Sequence, residues 1–176
     1  MTLTERQRDA LRALDLWEVA FDAPLTPWLR VPVGGVAEAR VRVADEDQEQ
    51  TLRKWARRER LPFTEVDPEG LLLVRDGGLQ GIVLVRGDGG GESAPVDLFE
   101  DPPKGRGAAV LLADSGLAGI RIRGARLDGA EPNRLRVEPD TKARDVELLV
   151  DWARRKVAAD WGVELTAALQ VVGELD

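Results

Sequence analysis

The chain contains no cysteine, no histidine and no tyrosine. Without cysteine there is no disulfide and no thiolate chemistry. Without histidine, triads built on an imidazole base and zinc sites of the His/Cys kind are excluded. No apolar run approaches the roughly 20 residues needed to span a bilayer. The opening Met1-Thr2-Leu3-Thr4-Glu5-Arg6-Gln7-Arg8 lacks the apolar core of a signal peptide, so a cytoplasmic chain without a membrane partner is expected. A surplus of positive charge is also missing: 25 Lys+Arg stand against 32 Asp+Glu, a net charge of −7. Acidic and basic residues alternate, so no contiguous basic face is available to neutralise phosphates, and no nucleic-acid partner is expected. What remains is an ordinary globular composition, 43% apolar and 32% charged over 176 residues, enough for one ample core or two small ones.

Hydrophobic spacing suggests a first helix opened by a Thr2-x-x-Glu5 capping box, with Ala10, Leu11, Leu14 and Trp17 along it. Residues 18–22 suggest a short strand, and Pro24, Pro27 and Pro32 then keep the chain extended. Residues 38–43 alternate as a strand. Asp45 to Arg60 has the pattern of a helix capped by Asp45 or Asp47, with Leu52, Trp55 and Ala56 on its apolar face and Leu61-Pro62 as its stop. Phe63–Val66, Leu71–Val74 and Ile82–Val85 are strand-like, the last two joined by an Asp76-Gly77-Gly78 turn. These elements predict a β-α-β-β-β unit over residues 28–86, preceded by an N-terminal helix and extension over 1–27.

Residues 87–106 are expected to be a linker, because glycine frees the backbone, proline blocks regular pairing and few residues can pack. Val96, Leu98 and Phe99 would pin its middle to the surface. The Gly87-Asp88-Gly89-Gly90-Gly91 run lacks the helix N-terminus and Lys-Ser/Thr pair of a phosphate cradle. Residues 107–176 then suggest a second α+β unit. It has a short helix 108–115 closed by Gly116, strands at 120–123, 125–127 and 135–138, and a long helix 142–161 capped by Asp140 or Thr141. Strands 163–165 and 169–172 finish it. The fold class predicted is α+β. Trp55 and Trp152 are expected in the core. Trp28, between Pro27 and Leu29, is the better interface candidate.

Two blocks, roughly 28–86 and 102–174, resemble the UDP-N-acetylenolpyruvoylglucosamine reductases. Residues 31–63, VPVGGVAEARVRVADEDQEQTLRKWARRERLPF, are similar to the start of the family's first flavin-binding subdomain, and LLLVRDGGLQGIVL to its NLLVxDxGxxGxVI hairpin. PPKGRGAAVLLADSGLAGIRIRGARLDGAEPNRL and KARDVELLVDWARRKVAADWGVELTAALQVVG are similar to the substrate-binding end. The resemblance implies FAD, a UDP-sugar substrate and a last strand that returns to the first unit. It also implies that the second flavin subdomain, with the catalytic Arg, is absent between the blocks; Arg30, Arg121 and Arg123 do not match that Arg.

The departures fall where the family does chemistry. Its Gly-Gly-Gly-Ser-Asn diphosphate loop aligns with Asp67-Pro68-Glu69-Gly70-Leu71, which loses a donor at proline and adds two carboxylates. Its Ser or Cys proton donor aligns with Asp128, its Lys-His pair with Ala130 and Glu131, and its late Glu with Ala168; Asn133 is retained. The expectation is a pseudoenzyme with no cofactor, no catalytic residue and no metal site. It would act by binding a protein partner or a second copy of itself in cell-wall precursor synthesis, with Trp28 at the interface. One alternative is a UDP-sugar sensor using Arg121, Arg123, Asp128 and Asn133. A second is residual flavin-dependent UDP-N-acetylmuramate dehydrogenase activity. Asp128 with Glu131 as an acid/base pair, and cation binding at Asp45-Glu46-Asp47 or Glu100-Asp101, have only surface carboxylates to support them, without cation-loop spacing.

Overall fold

The computed structural model describes residues 2–67, 70–87, 89 and 96–175. Along the chain lie α1 (Glu5–Arg12), β1 (Glu18–Pro24), β2 (Val36–Arg42), α2 (Glu46–Arg58), β3 (Phe63–Val66), β4 (Leu72–Val74) and β5 (Leu79–Val85). They are followed by β6 (Val96–Asp97), α3 (Ala108–Asp114), β7 (Arg121–Ile122), β8 (Ala125–Leu127), β9 (Arg134–Val137), α4 (Ala143–Trp161) and β10 (Gln170–Val172). The architecture is mixed α/β. None of the helices is long and apolar enough to cross a membrane, among the described residues.

The first sheet has the order β1-β2-β5-β3. β5 is parallel to both β2 and β3, and β1 runs antiparallel to β2. Alternation along β5 explains why this sheet is covered on both sides. Ile82 and Leu84 face α2, where Leu52, Trp55 and Ala56 are buried with them, as the helical spacing predicted. Val83 and Val85 face the opposite way, toward Leu25, Leu29 and Trp28. Asp45 caps α2 by accepting the Gln48 N–H at 2.9 Å.

The capping box of α1 is Thr4-x-x-Gln7, one step inside the expected Thr2-x-x-Glu5. The Thr4 hydroxyl accepts the Gln7 N–H at 3.3 Å, and the Gln7 side chain accepts the Thr4 N–H at 3.0 Å. The reason lies in Leu3, which is buried and donates its N–H to the buried Glu38 carboxylate. A helix begun at Thr2 would pull Leu3 away from both. Trp17 is not on this helix, which ends at Arg12; the indole is exposed with the Arg42 guanidinium 4.6 Å from its ring centre.

The second sheet, β6-β9-β8-β7, is antiparallel throughout. α3 and α4 pack on it, and Val146, Leu149, Ala153 and Val157 form the buried stripe of α4. The expected linker therefore stops short of its predicted end. Val96 pairs with Leu135, Phe99 bridges to Ala167, and Leu98 and Phe99 are core residues rather than surface pins. The apolar Val-x-Leu-Phe pattern outweighed the Gly/Pro composition around it. Asp88 and Gly90–Pro95 lie outside the described residues, as do Pro68 and Glu69. Residues 163–165 form no strand, although Leu165 is buried. Trp152 is 40% exposed and is not a core residue, whereas Trp55 is buried as expected.

The two halves are joined at the turn Arg75-Asp76-Gly77-Gly78. β4 and β5 are not a hairpin. β4 leaves the first sheet and pairs in parallel with β10, so the last strand does return to the first half. The backbones crowd there. A Cβ on Gly34 would lie 2.0 Å from the Val74 carbonyl oxygen, and one on Gly78, whose φ is +79°, 2.2 Å from the Val36 carbonyl oxygen. The turn also grips α4. Neither Asp140 nor Thr141 caps that helix; Lys142 holds the N-cap position without a side-chain bond. Asp76 takes over by accepting the Ala143 N–H at 3.2 Å, while Arg75 makes a two-pronged pair with Glu147 at 2.9 and 3.1 Å. A cap supplied from 67 residues away is invisible to local capping rules.

Gly78→Ala combines a positive φ with a backbone clash, and is expected to lower stability by about 2–4 kcal/mol in urea denaturation. Asp76→Ala, losing only the remote cap, is expected to lower it by about 1 kcal/mol. Unchanged midpoints for both variants would remove the junction from the account of stability.

Candidate functional site

The loop between β8 and β9 carries the residues that sequence reasoning marked, and the fold turns it toward the end of β6. Ala130, Glu131 and Asn133 line a cleft of about 610 Å3 together with Asp97, Glu100, Asp101 and Ala168. Four positions matched to the reductase motif, Ala130, Glu131, Asn133 and Ala168, are thus brought together from distant parts of the chain. Asp128 sits at the base of the same loop.

Asp128 is held as an anion. Its carboxylate accepts the N–H groups of Ala130 at 2.8 Å and Glu131 at 3.1 Å, and it pairs with the Arg136 guanidinium. The Arg136 hydrogen bond and then the two backbone donors lower its pKa to about 2. An acid of that strength has no proton to give at neutral pH. Arg136 was not singled out in the sequence. The β8–β9 register, which sets Arg126 opposite Arg136 and Leu127 opposite Leu135, is the signal that brings its side chain near Asp128.

Asn133 is also committed. Its side-chain oxygen accepts the Phe99 N–H at 3.0 Å, and its amide nitrogen donates to the Phe99 carbonyl at 2.8 Å. The side chain imitates a strand neighbour and fastens β6 to the loop. Glu131 pairs with Arg134 at 2.8 Å rather than with Asp128. Ala168 offers the cleft no ionisable group. The walls carry four carboxylates, Asp97, Glu100, Asp101 and Glu131, against the guanidinium of Arg134. That balance opposes a diphosphate. No group of three or more potential ligands could hold a metal among the described residues.

Arg121 and Arg123 lie elsewhere. Arg121 pairs with Glu138 at 2.6 Å, and Arg123, with φ at +49°, reaches the buried Asp145 at 3.2 Å. Arg123 borders a second cleft of about 720 Å3 at the start of α4, with Arg75, Lys142 and Arg144. The four ligand-binding candidates do not converge on one ligand. Trp28 is half-buried under the Arg40 guanidinium, 4.0 Å from the ring centre, and Gly89 lies against its indole.

Four glycines in the stretches that resemble the first flavin-binding subdomain donate their N–H groups to the chain itself. The N–H of Gly35 donates to Arg75 at 3.1 Å, that of Gly77 to Glu174 at 3.0 Å, that of Gly78 to Arg75 at 2.9 Å and that of Gly70 to Asp67 at 3.0 Å. A diphosphate needs such donors free and pointing outward. These residues do not fit a flavin diphosphate.

Residues 97–172 match the family model described as UDP-N-acetylenolpyruvoylglucosamine reductase, C-terminal domain. The reductase of Myxococcus xanthus is 35% identical over 123 residues, covering 65% of this chain and 36% of the relative. That of Granulibacter bethesdensis is 29% identical over 149 residues, covering 81% and 46%. The chain spans between about a quarter and a half of the length of the curated relatives it matches. Among solved structures, the reductase from Thermus caldophilus superposes with a TM-score of 0.63 at 14% identity, covering 88% of this chain and 98% of that one.

The Asp128 carboxyl is predicted to titrate near 2 by NMR, below its ordinary value of 3.8. A group depressed in the folded state stabilises fully above its unfolded pKa and loses that contribution as pH falls through the folded one. Asp128→Asn is therefore expected to be less stable than the parent above about pH 4, with the gap closing toward pH 2. Titration near neutral pH would restore Asp128 as a candidate proton donor.

Proposed function

We propose that this MurB-like chain, whose residues 97–172 match the reductase C-terminal domain, is a catalytically inactive relative of the peptidoglycan-precursor reductase that works through protein contacts. The observation that carries the proposal is the state of the cleft. Where the family places a proton donor, this chain has a carboxylate bound by Arg136 and two backbone N–H groups. Where the family places the Glu that partners that donor, it has Ala168 at the cleft wall. Proton delivery to a carbanion needs a group that is protonated at working pH and a partner that positions it. Neither is supplied. The resemblance also leaves no second flavin subdomain, and a cofactor held on one side loses most of its burial.

The retained fold then serves as a scaffold. Asn133, Phe99 and Ala168 hold β6 and the chain before β10 together, and that is a structural task. A protein partner in cell-wall precursor synthesis fits this reading better than a UDP-sugar, which four wall carboxylates would repel.

Two measurements test it. With pre-reduced FAD and UDP-N-acetylenolpyruvoylglucosamine, no turnover above the uncatalysed rate is expected, and restoring the family's residues with Asp128→Ser and Ala168→Glu is not expected to create any. Calorimetry with UDP-sugars is expected to show no binding heat at millimolar ligand. Turnover by the unmodified chain would overturn the proposal, and a saturable UDP-sugar isotherm would replace it with a sensor.

A further inference from the structure

The exposed face of α4 carries an unused pattern. Arg144, Leu148 and Trp152 recur every four residues and form one ridge along the helix. Leu148 is 44% exposed and Trp152 40%; Leu175, 70% exposed, borders the same cleft as Leu148 and Arg144. Leu148 and Trp152, one helical turn apart, leave an exposed apolar face framed by charge.

The charges say what covers it. Three other tryptophans each carry a guanidinium from their own chain: Trp17 has Arg42 at 4.6 Å, Trp28 has Arg40 at 4.0 Å and Trp161 has Arg106 at 4.8 Å. Trp152 has none among the described residues. Arg144, in turn, has no ion pair among the described residues, and its own helix holds it eight positions from that bare ring. A cation without a partner and an aromatic face without a cation flank Leu148 at equal distances, about 6 Å along the axis on either side.

We propose that two copies of this chain associate through α4, antiparallel about a two-fold axis at Leu148. In that arrangement Leu148 meets its own copy at the axis. Each Arg144 lies over the Trp152 ring of the other copy and next to its Asp151, so both unused groups are satisfied twice by one symmetry operation. A parallel pairing would instead set Arg144 against Arg144. The i±4 ridges of both helices interdigitate at a crossing of about 50°, which leaves room at the flanks for the long Arg144 side chains. A single helix pair is a small interface, so association in the order of micromolar is expected. The pairing is independent of the cleft at the β8–β9 loop, and a chain with or without turnover would dimerise in the same way.

The absence of cysteine makes the test direct. Leu148→Cys places a lone thiol on the axis, at an exposed position where the fold tolerates it. Mild oxidation is expected to convert most of it to a covalent dimer. Arg154→Cys, exposed but roughly 120° around the helix, is expected to stay monomeric. Adding Arg144→Glu to Leu148→Cys is expected to slow cross-linking at least about tenfold, the loss of roughly 1.4 kcal/mol, with the circular dichroism unchanged. Equal cross-linking of the two thiols, or a wild-type chain that sediments as a monomer from about 1 µM to 1 mM, would overturn the proposal. Neither result would alter the reading of the cleft.

Discussion

The rest of the structure depends on the close packing of backbones at Arg75-Asp76-Gly77-Gly78. Four segments meet there: the approach to β2, the end of β4, the start of β5 and the tail after β10. They come so near that side chains are excluded at Gly34, Gly35, Gly77 and Gly78. Val31, Val33 and Leu73 share a buried core with the second half, and the junction adds hydrogen bonds that span those segments. The N–H of Arg75 donates to Val172 at 2.8 Å, and that of Glu174 donates to Gly78 at 3.1 Å. The same four residues then place the long helix, through the Asp76 cap and the Arg75–Glu147 pair. α4 in turn lays its buried stripe against the antiparallel sheet that carries the cleft.

That construction bears on chemistry. Glycines at a close approach can serve a ligand's phosphate or the chain's own backbone, but not both at once. Here the N–H groups of Gly35, Gly77 and Gly78 are spent internally. The cleft follows the same pattern: Asp128, Asn133 and Glu131 have the right identities to attract attention, yet each is bonded to a neighbour that uses up its reactive or recognising atoms. Polar groups satisfied inside the molecule contribute to one unique packing rather than to binding.

Much of this was legible in the sequence. Helical spacing gave α2 and α4 with their buried residues, alternation gave β2, a strand-like run gave β3, and Gly116 and Gly162 marked helix ends. The family resemblance gave the return of the last strand to the first unit, and the structure names β4 as its partner. Local rules failed where distant residues decided the outcome. The cap of α4 comes from Asp76, the start of α1 is set by Leu3 and Glu38, and Val96–Phe99 pair with strands much further along the chain. Trp152 was misplaced because it borders the buried stripe of α4 without belonging to it. The site residues were partly legible. Ala130, Glu131, Asn133 and Ala168 do gather, but the pairing of Arg121 and Arg123 with Glu138 and Asp145 depends on turns that spacing does not specify.

The most direct test of the central claim is a visible absorbance spectrum of the purified chain, followed by titration with FAD while Trp fluorescence is recorded. The account predicts a colourless protein whose fluorescence FAD quenches no more than it quenches free tryptophan. A flavin band near one equivalent, or saturable quenching, would contradict it, because the junction would then have to open its donors to the cofactor.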